Sequence, residues 1–166
     1  MFKFNPVSGK YTVLHSFAGL PSDGATPYAS LLFGSDGTLY GTTRLGGTAN
    51  LGTVFELKGS TLTVLHSFTG LNFKLLDGQY PTASLIRDSA GNLYGTTPEG
   101  GSTLNYGIVF ELSAAGSYTI LHNFNDVRPG GRYPYGGLRR DPTGNLYGTT
   151  YGGGKDNEGT IFEWTP

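Results

Sequence analysis

Cysteine is absent from the 166 residues, and charged side chains make up only 14% of them. Without cysteine there is no disulfide scaffold, no thiolate metal site and no cysteine nucleophile, although exported proteins can also lack it, so the compartment stays open. Lys and Arg number 11 against 12 Asp and Glu, a formal net charge of −1. That balance lacks the footprint expected of a partner for nucleic acid or an anionic membrane surface. No apolar run approaches the ~18 residues of a membrane span. No signal peptide begins at Met1, so the targeting segment of an exported protein is expected outside these residues.

Glycine is in excess, with 28 residues where the usual share is ~7%. Hydrophobic content of 37% and aromatic content of 13% still suffice for a core, which excludes collagen and disorder. No window sustains a 3.6-residue period, so the chain reads as all-β.

Leu-Tyr-Gly-Thr-Thr occurs at residues 39–43, 93–97 and 146–150, at spacings of 54 and 53. A glycine pair follows each copy, then Gly52-Thr53-Val54-Phe55-Glu56-Leu57 or its counterparts at 107–112 and 159–164. Residues 11–17, 62–68 and 118–124 repeat as Tyr/Leu-Thr-Val/Ile-Leu-His-Ser/Asn-Phe, and residues 31–33, 85–87 and 138–140 complete the pattern. Met1-Phe2-Lys3-Phe4 is a truncated copy of the Val-Phe-Glu-Leu segment. Turn chemistry such as Ser35-Asp36-Gly37 and Asp141-Pro142-Thr143-Gly144-Asn145 separates the segments.

Each repeat of about 53 residues therefore holds four strand candidates, and residues 1–166 are expected to form a single repeat domain. A β-propeller of three four-stranded blades per chain fits this pattern, and so does a threefold β-trefoil or β-prism monomer. Three blades fall short of the usual 4 to 8, so a homodimer would give a six-bladed ring. In that ring N-terminal strands from residues 2–17 close the last blade, either by joining the chain's own ends or by exchange with the partner.

The recurring Leu-Tyr-Gly-Thr-Thr, Gly-Gly, Gly-Thr-Val-Phe-Glu-Leu and Val-Leu-His-Ser-Phe elements resemble the GloVer (Gloeo/Verruco-type) tandem repeat of bacterial choice-of-anchor surface proteins. The resemblance covers nearly all 166 residues. It implies a repeat-built, exported or surface-attached bacterial β-protein whose copy number varies between members. Variable copy number favours a propeller over a trefoil, and the resemblance supplies no activity and no catalytic residues.

His15, His66 and His122 invite a three-histidine metal site. They occupy equivalent positions in different repeats, so a ring would spread them apart, and no metal or cofactor is expected. Glu56, Glu111 and Glu163 likewise repeat without the ~5–10 Å pairing a glycosidase needs. The glycine pairs lack a phosphate loop's Lys-Ser/Thr ending, and no Gly-x-Ser-x-Gly elbow or His-Glu-x-x-His zinc motif occurs. No catalytic residue is assigned.

Function is expected where the repeats differ, on the long loops 18–27, 69–81 and 125–134 and 44–51, 98–106 and 151–158, which share one face in a propeller. Tyr80, Tyr106, Tyr133 and Tyr151, with Arg44, Arg128, Arg132 and Asp77, form the expected ligand-binding set. Tyrosine faces beside hydrogen-bonding groups suit sugar rings. Arg87, Arg139 and Arg140 interrupt the apolar first strands and would line a channel. The leading expectation is a non-catalytic, lectin-like glycan-binding or adhesion protein, extracellular or on a cell surface. The alternatives are a structural repeat module without a small-molecule ligand, and a polysaccharide hydrolase or lyase.

Overall fold

The computed structural model describes all residues except 73, 74, 126, 128 and 129. Among the described residues every regular element is a strand, so no helix is present that could cross a membrane. Repeat 1 is an antiparallel meander of Leu32–Phe33, Leu39–Thr43, Thr53–Lys58 and Thr61–Ser67. Repeat 2 copies it with Ile86–Arg87, Leu93–Thr97, Ile108–Leu112 and Tyr118–Asn123. Repeat 3 has three strands, Arg139–Arg140, Leu146–Thr150 and Thr160–Trp164.

The second and third strands lie in the same register each time. Gly41, Gly95 and Gly148 face Phe55, Phe110 and Phe162. A Cβ on Gly95 would stand 2.6 Å from Phe110 Cζ, so the bare glycine lets the facing phenyl ring lie across the strand. The two four-stranded sheets carry a bulge at one place, between Val54 and Phe55 and between Val109 and Phe110. The bulge shifts the register of the fourth strand just before its histidine.

The core lies between sheets. Val54 and Phe68 of repeat 1 pack with Leu85, Leu93, Ile108 and Phe110 of repeat 2. Tyr94, Val109 and Phe124 of repeat 2 pack with Leu138 and Leu146 of repeat 3. Three edge-to-face phenylalanine pairs mark the stacking: Phe17–Phe55, Phe68–Phe110 and Phe124–Phe162, with centroids 5.4, 5.4 and 5.1 Å apart. Such pairs contribute about 0.5–1.5 kcal/mol beyond area burial, so each sheet gains stability from its neighbour.

The N-terminal segment forms a small sheet of its own. Phe2–Phe4 pairs with Tyr11–Val13 as a hairpin, and Phe17 packs on repeat 1. Within one chain this hairpin is a separate two-stranded sheet and does not pair with Thr160–Trp164. The outer edge of Thr160–Trp164 carries no strand among the described residues.

Candidate functional site

The two long-loop sets meet. Gly24 pairs opposite Gly46, Gly78 opposite Gly100, and Gly131 opposite Gly153, each in a two-residue antiparallel ladder. A side chain at Gly24, Gly78 or Gly131 would collide with Thr43, Thr97 or Thr150, the last residue of each Leu-Tyr-Gly-Thr-Thr. Asn50, Asn105 and Asn157 take a left-handed backbone, and their side-chain oxygens accept the N–H of Gly46, Gly100 and Gly153. This shared frame fixes the bases of both loops on one side of each sheet.

Candidate side chains come together across the junctions between repeats. Tyr80 and Tyr133 have φ of 57° and 60°, a left-handed backbone uncommon for so large a residue. That turn aims their N–H groups at the carbonyls of Leu51 and Tyr106 in the preceding repeat, at 2.8 Å in both cases. At the first junction the Arg44 guanidinium lies 5.2 Å from the Tyr80 ring centroid. At the second, Tyr106 and Tyr133 meet edge to face at 5.5 Å, and Arg132 lies over both rings at 5.6 and 5.8 Å. Arg132 also donates to Asn157 Oδ1 at 2.6 Å.

Tyr151 is 76% exposed on the last repeat and meets Tyr135 edge to face at 5.9 Å. Asp77 departs from its expected place on the ligand face, being only 5% exposed. Its Oδ2 accepts from Thr69 N–H at 2.8 Å and meets His66 Nε2 at 3.1 Å, while Oδ1 accepts from Gly78 N–H at 2.7 Å. Those contacts make it a fastening between the fourth strand and the loop that follows. Arg128 lies outside the described residues.

The segment before repeat 1 has the same fastening, with His15 Nε2 2.9 Å from Asp23 Oδ2. Burial raises the pKa of Asp23 and Asp77, but the hydrogen bonds they accept and the adjacent imidazole outweigh it, so both carboxyls fall below their ordinary value. Aligning the repeats on Pro27, Pro81 and Pro134 shows the signal for this pair, because Asp23, Asp77 and Gly130 stand four residues earlier. The loop after the fourth strand of repeat 2 therefore has a glycine at that place, and desolvation lowers the pKa of His122 even though its ring reaches solvent. Each histidine also meets the phenylalanine two residues further on edge-on at 4.8 Å.

Arg87, Arg139 and Arg140 are exposed on the first strands, which form one edge of each sheet. Arg87 lies 5.4 Å over the Tyr40 ring of the preceding repeat. Glu56, Glu111 and Glu163 face Tyr40, Tyr94 and Tyr147 across the second and third strands, and Glu163 accepts the Tyr147 hydroxyl at 3.0 Å.

A family profile described as the Gloeobacter/Verrucomicrobia repeat matches residues 1–166. No curated protein matches the chain.

Proposed function

The chain belongs to the Gloeobacter/Verrucomicrobia repeat family, and from that premise we propose that it is a non-catalytic glycan-binding or adhesion protein working outside the cell or on its surface. Each sheet acts as a propeller blade, and two copies supply the six blades of a ring. One observation carries the binding reading: Tyr106, Tyr133 and Arg132 converge on the long-loop face at the junction of two repeats. Two aromatic faces and a fixed guanidinium offer a sugar ring both a stacking surface and hydrogen-bond donors.

Arg44 over Tyr80 offers a single ring and a guanidinium one junction away, so a polymer could engage both sites and gain avidity. A glycan array tests the reading. Binding that falls at least tenfold in Arg132→Ala and Tyr106→Ala supports it, and an array silent for the unmodified chain contradicts it. A second reading is a structural interaction module without a small ligand, favoured by the open edge of Thr160–Trp164.

A further inference from the structure

Both internal junctions share two hydrogen bonds. The first threonine of Leu-Tyr-Gly-Thr-Thr donates to a carbonyl of the next repeat, Thr42 to Ala83 at 3.2 Å and Thr96 to Gly136 at 3.0 Å. The next repeat donates back from Tyr80 to Leu51 and from Tyr133 to Tyr106. At the first junction Arg87 covers Tyr40, and Tyr118 stacks on His66 with centroids 3.9 Å apart.

The two ends of the chain carry the separated halves of this set. Aligned on the repeat, Thr149, Glu158, Tyr147 and His122 stand on the trailing edge where Thr42, Leu51, Tyr40 and His66 stand at the first junction. Ala29, Thr26, Phe33 and Tyr11 stand on the leading edge where Ala83, Tyr80, Arg87 and Tyr118 stand. Exposure follows the separation. Ile161 is 85% exposed whereas its counterparts Val54 and Val109 are wholly buried, and Phe33 is 75% exposed.

We propose that the trailing edge of one copy docks head to tail on the leading edge of a second copy. Thr149 Oγ1 of one copy then donates to the Ala29 carbonyl of the other, and Thr26 N–H donates to the Glu158 carbonyl. Phe33 covers Tyr147, and Tyr11 stacks on His122. The exposed Tyr151 of one copy and Tyr28 of the other come to the same seam, adding a site that neither copy completes alone. This arrangement rests on the ring described above, not on its ligand.

Strand exchange follows from the register. Phe2 faces Val13 as Phe55 faces Val64 and Phe110 faces Ile120, so Phe2–Phe4 occupies a third-strand place beside Tyr11–Val13. In the paired form the five-residue Thr160–Trp164 of the other copy takes that place from the three-residue Phe2–Phe4. The exchange gives Thr160–Trp164 its fourth-strand neighbour and fills a groove of about 450 Å³ lined by His122, Phe124, Ile161, Phe162 and Trp164. Two such contacts about a twofold axis close the ring and remove the open edge.

Ile161→Lys and Phe33→Lys each alter one edge at an exposed position, so each is compatible with a folded single chain. Light scattering is expected to give twice 17.6 kDa for the unmodified chain and 17.6 kDa for either variant alone. Mixing the two variants raises the mass again, because the mixture keeps one intact seam. Emission of Trp164, the single tryptophan, moves to shorter wavelength as the groove fills. A single-chain mass for the unmodified protein at every concentration, or variants that keep the paired mass, overturns the proposal. Variants that do not regain mass on mixing overturn the head-to-tail arrangement. Glycan binding is read separately on the array, so failure of one reading does not mimic failure of the other.

Discussion

Thr96 and Gly136, forty residues apart, are joined by a 3.0 Å hydrogen bond from the threonine hydroxyl to the glycine carbonyl. Thr96 is buried at the junction of two repeats, whereas Thr149, the same residue of the same motif, is exposed on the last repeat. One pentapeptide thus serves inside a junction and at an open edge.

Thr96→Val is expected to cost about 0.5–1.5 kcal/mol, the net worth of a buried hydrogen bond, and to leave the Gly136 carbonyl without that partner. Thr149→Val changes single-chain stability by less than about 0.5 kcal/mol, as exposed substitutions do. Urea melts of the two variants, compared at concentrations where the chain is single, check the contrast. Equal losses would show that the hydroxyl matters only within its own strand.

Gly95→Ala puts a methyl group 2.6 Å from Phe110 Cζ and 2.9 Å from a Leu85 methyl. Displacing a ring that belongs to the first junction core is expected to cost about 1–3 kcal/mol, the usual range for overpacking. Thermal unfolding reads this directly, and an unchanged midpoint would mean that Phe110 has another place to go.

Acid should loosen the first junction. The Asp77 carboxyl sits below its ordinary value in the folded chain, so its contribution is complete above the unfolded value of ~3.9 and is lost as pH falls through the lower folded value. Asp77→Asn is expected to destabilise by about 1–3 kcal/mol at pH 7, with the difference from the unmodified chain shrinking in that acid window. A difference constant from pH 7 to pH 2 would contradict the assignment.

Desolvation lowers the pKa of His122, which predicts an NMR titration midpoint below the ordinary ~6.5. The folded chain then holds fewer protons at this site than the unfolded one, so the site lowers stability as pH falls through 6.5 toward the folded value. A midpoint at or above 6.5 would contradict the local environment described for this ring.

Much of the strand pattern was legible because each repeat must bury the same faces. Leu-Tyr-Gly-Thr-Thr forms the second strand at Leu39–Thr43, Leu93–Thr97 and Leu146–Thr150, with the expected bounds. The first strands are shorter than their sequence suggests, since only Leu32–Phe33, Ile86–Arg87 and Arg139–Arg140 pair, while Leu31, Leu85 and Leu138 turn into the packing. The Gly24–Gly46 ladder and its copies were not legible, because two-residue pairings of glycines carry no hydrophobic alternation. Asp77 lies in the 69–81 loop, where nothing in its local sequence marks it as buried. Only the comparison of Asp23 and Asp77 with Gly130 reveals a carboxylate that follows a histidine in two repeats and is lost in the third. The Arg132–Tyr106–Tyr133 grouping joins two repeats, so spacing within one repeat could not disclose it.

The most direct measurement is an NMR titration of the ¹⁵N-labelled chain with the oligosaccharide that scores highest on the array. The account predicts saturable shifts of the backbone amides of Arg44, Tyr80, Tyr106, Arg132 and Tyr133, on the two junctions of the long-loop face. Saturable shifts confined to the first strands around Arg87, Arg139 and Arg140, or no saturable shift at all, would contradict it.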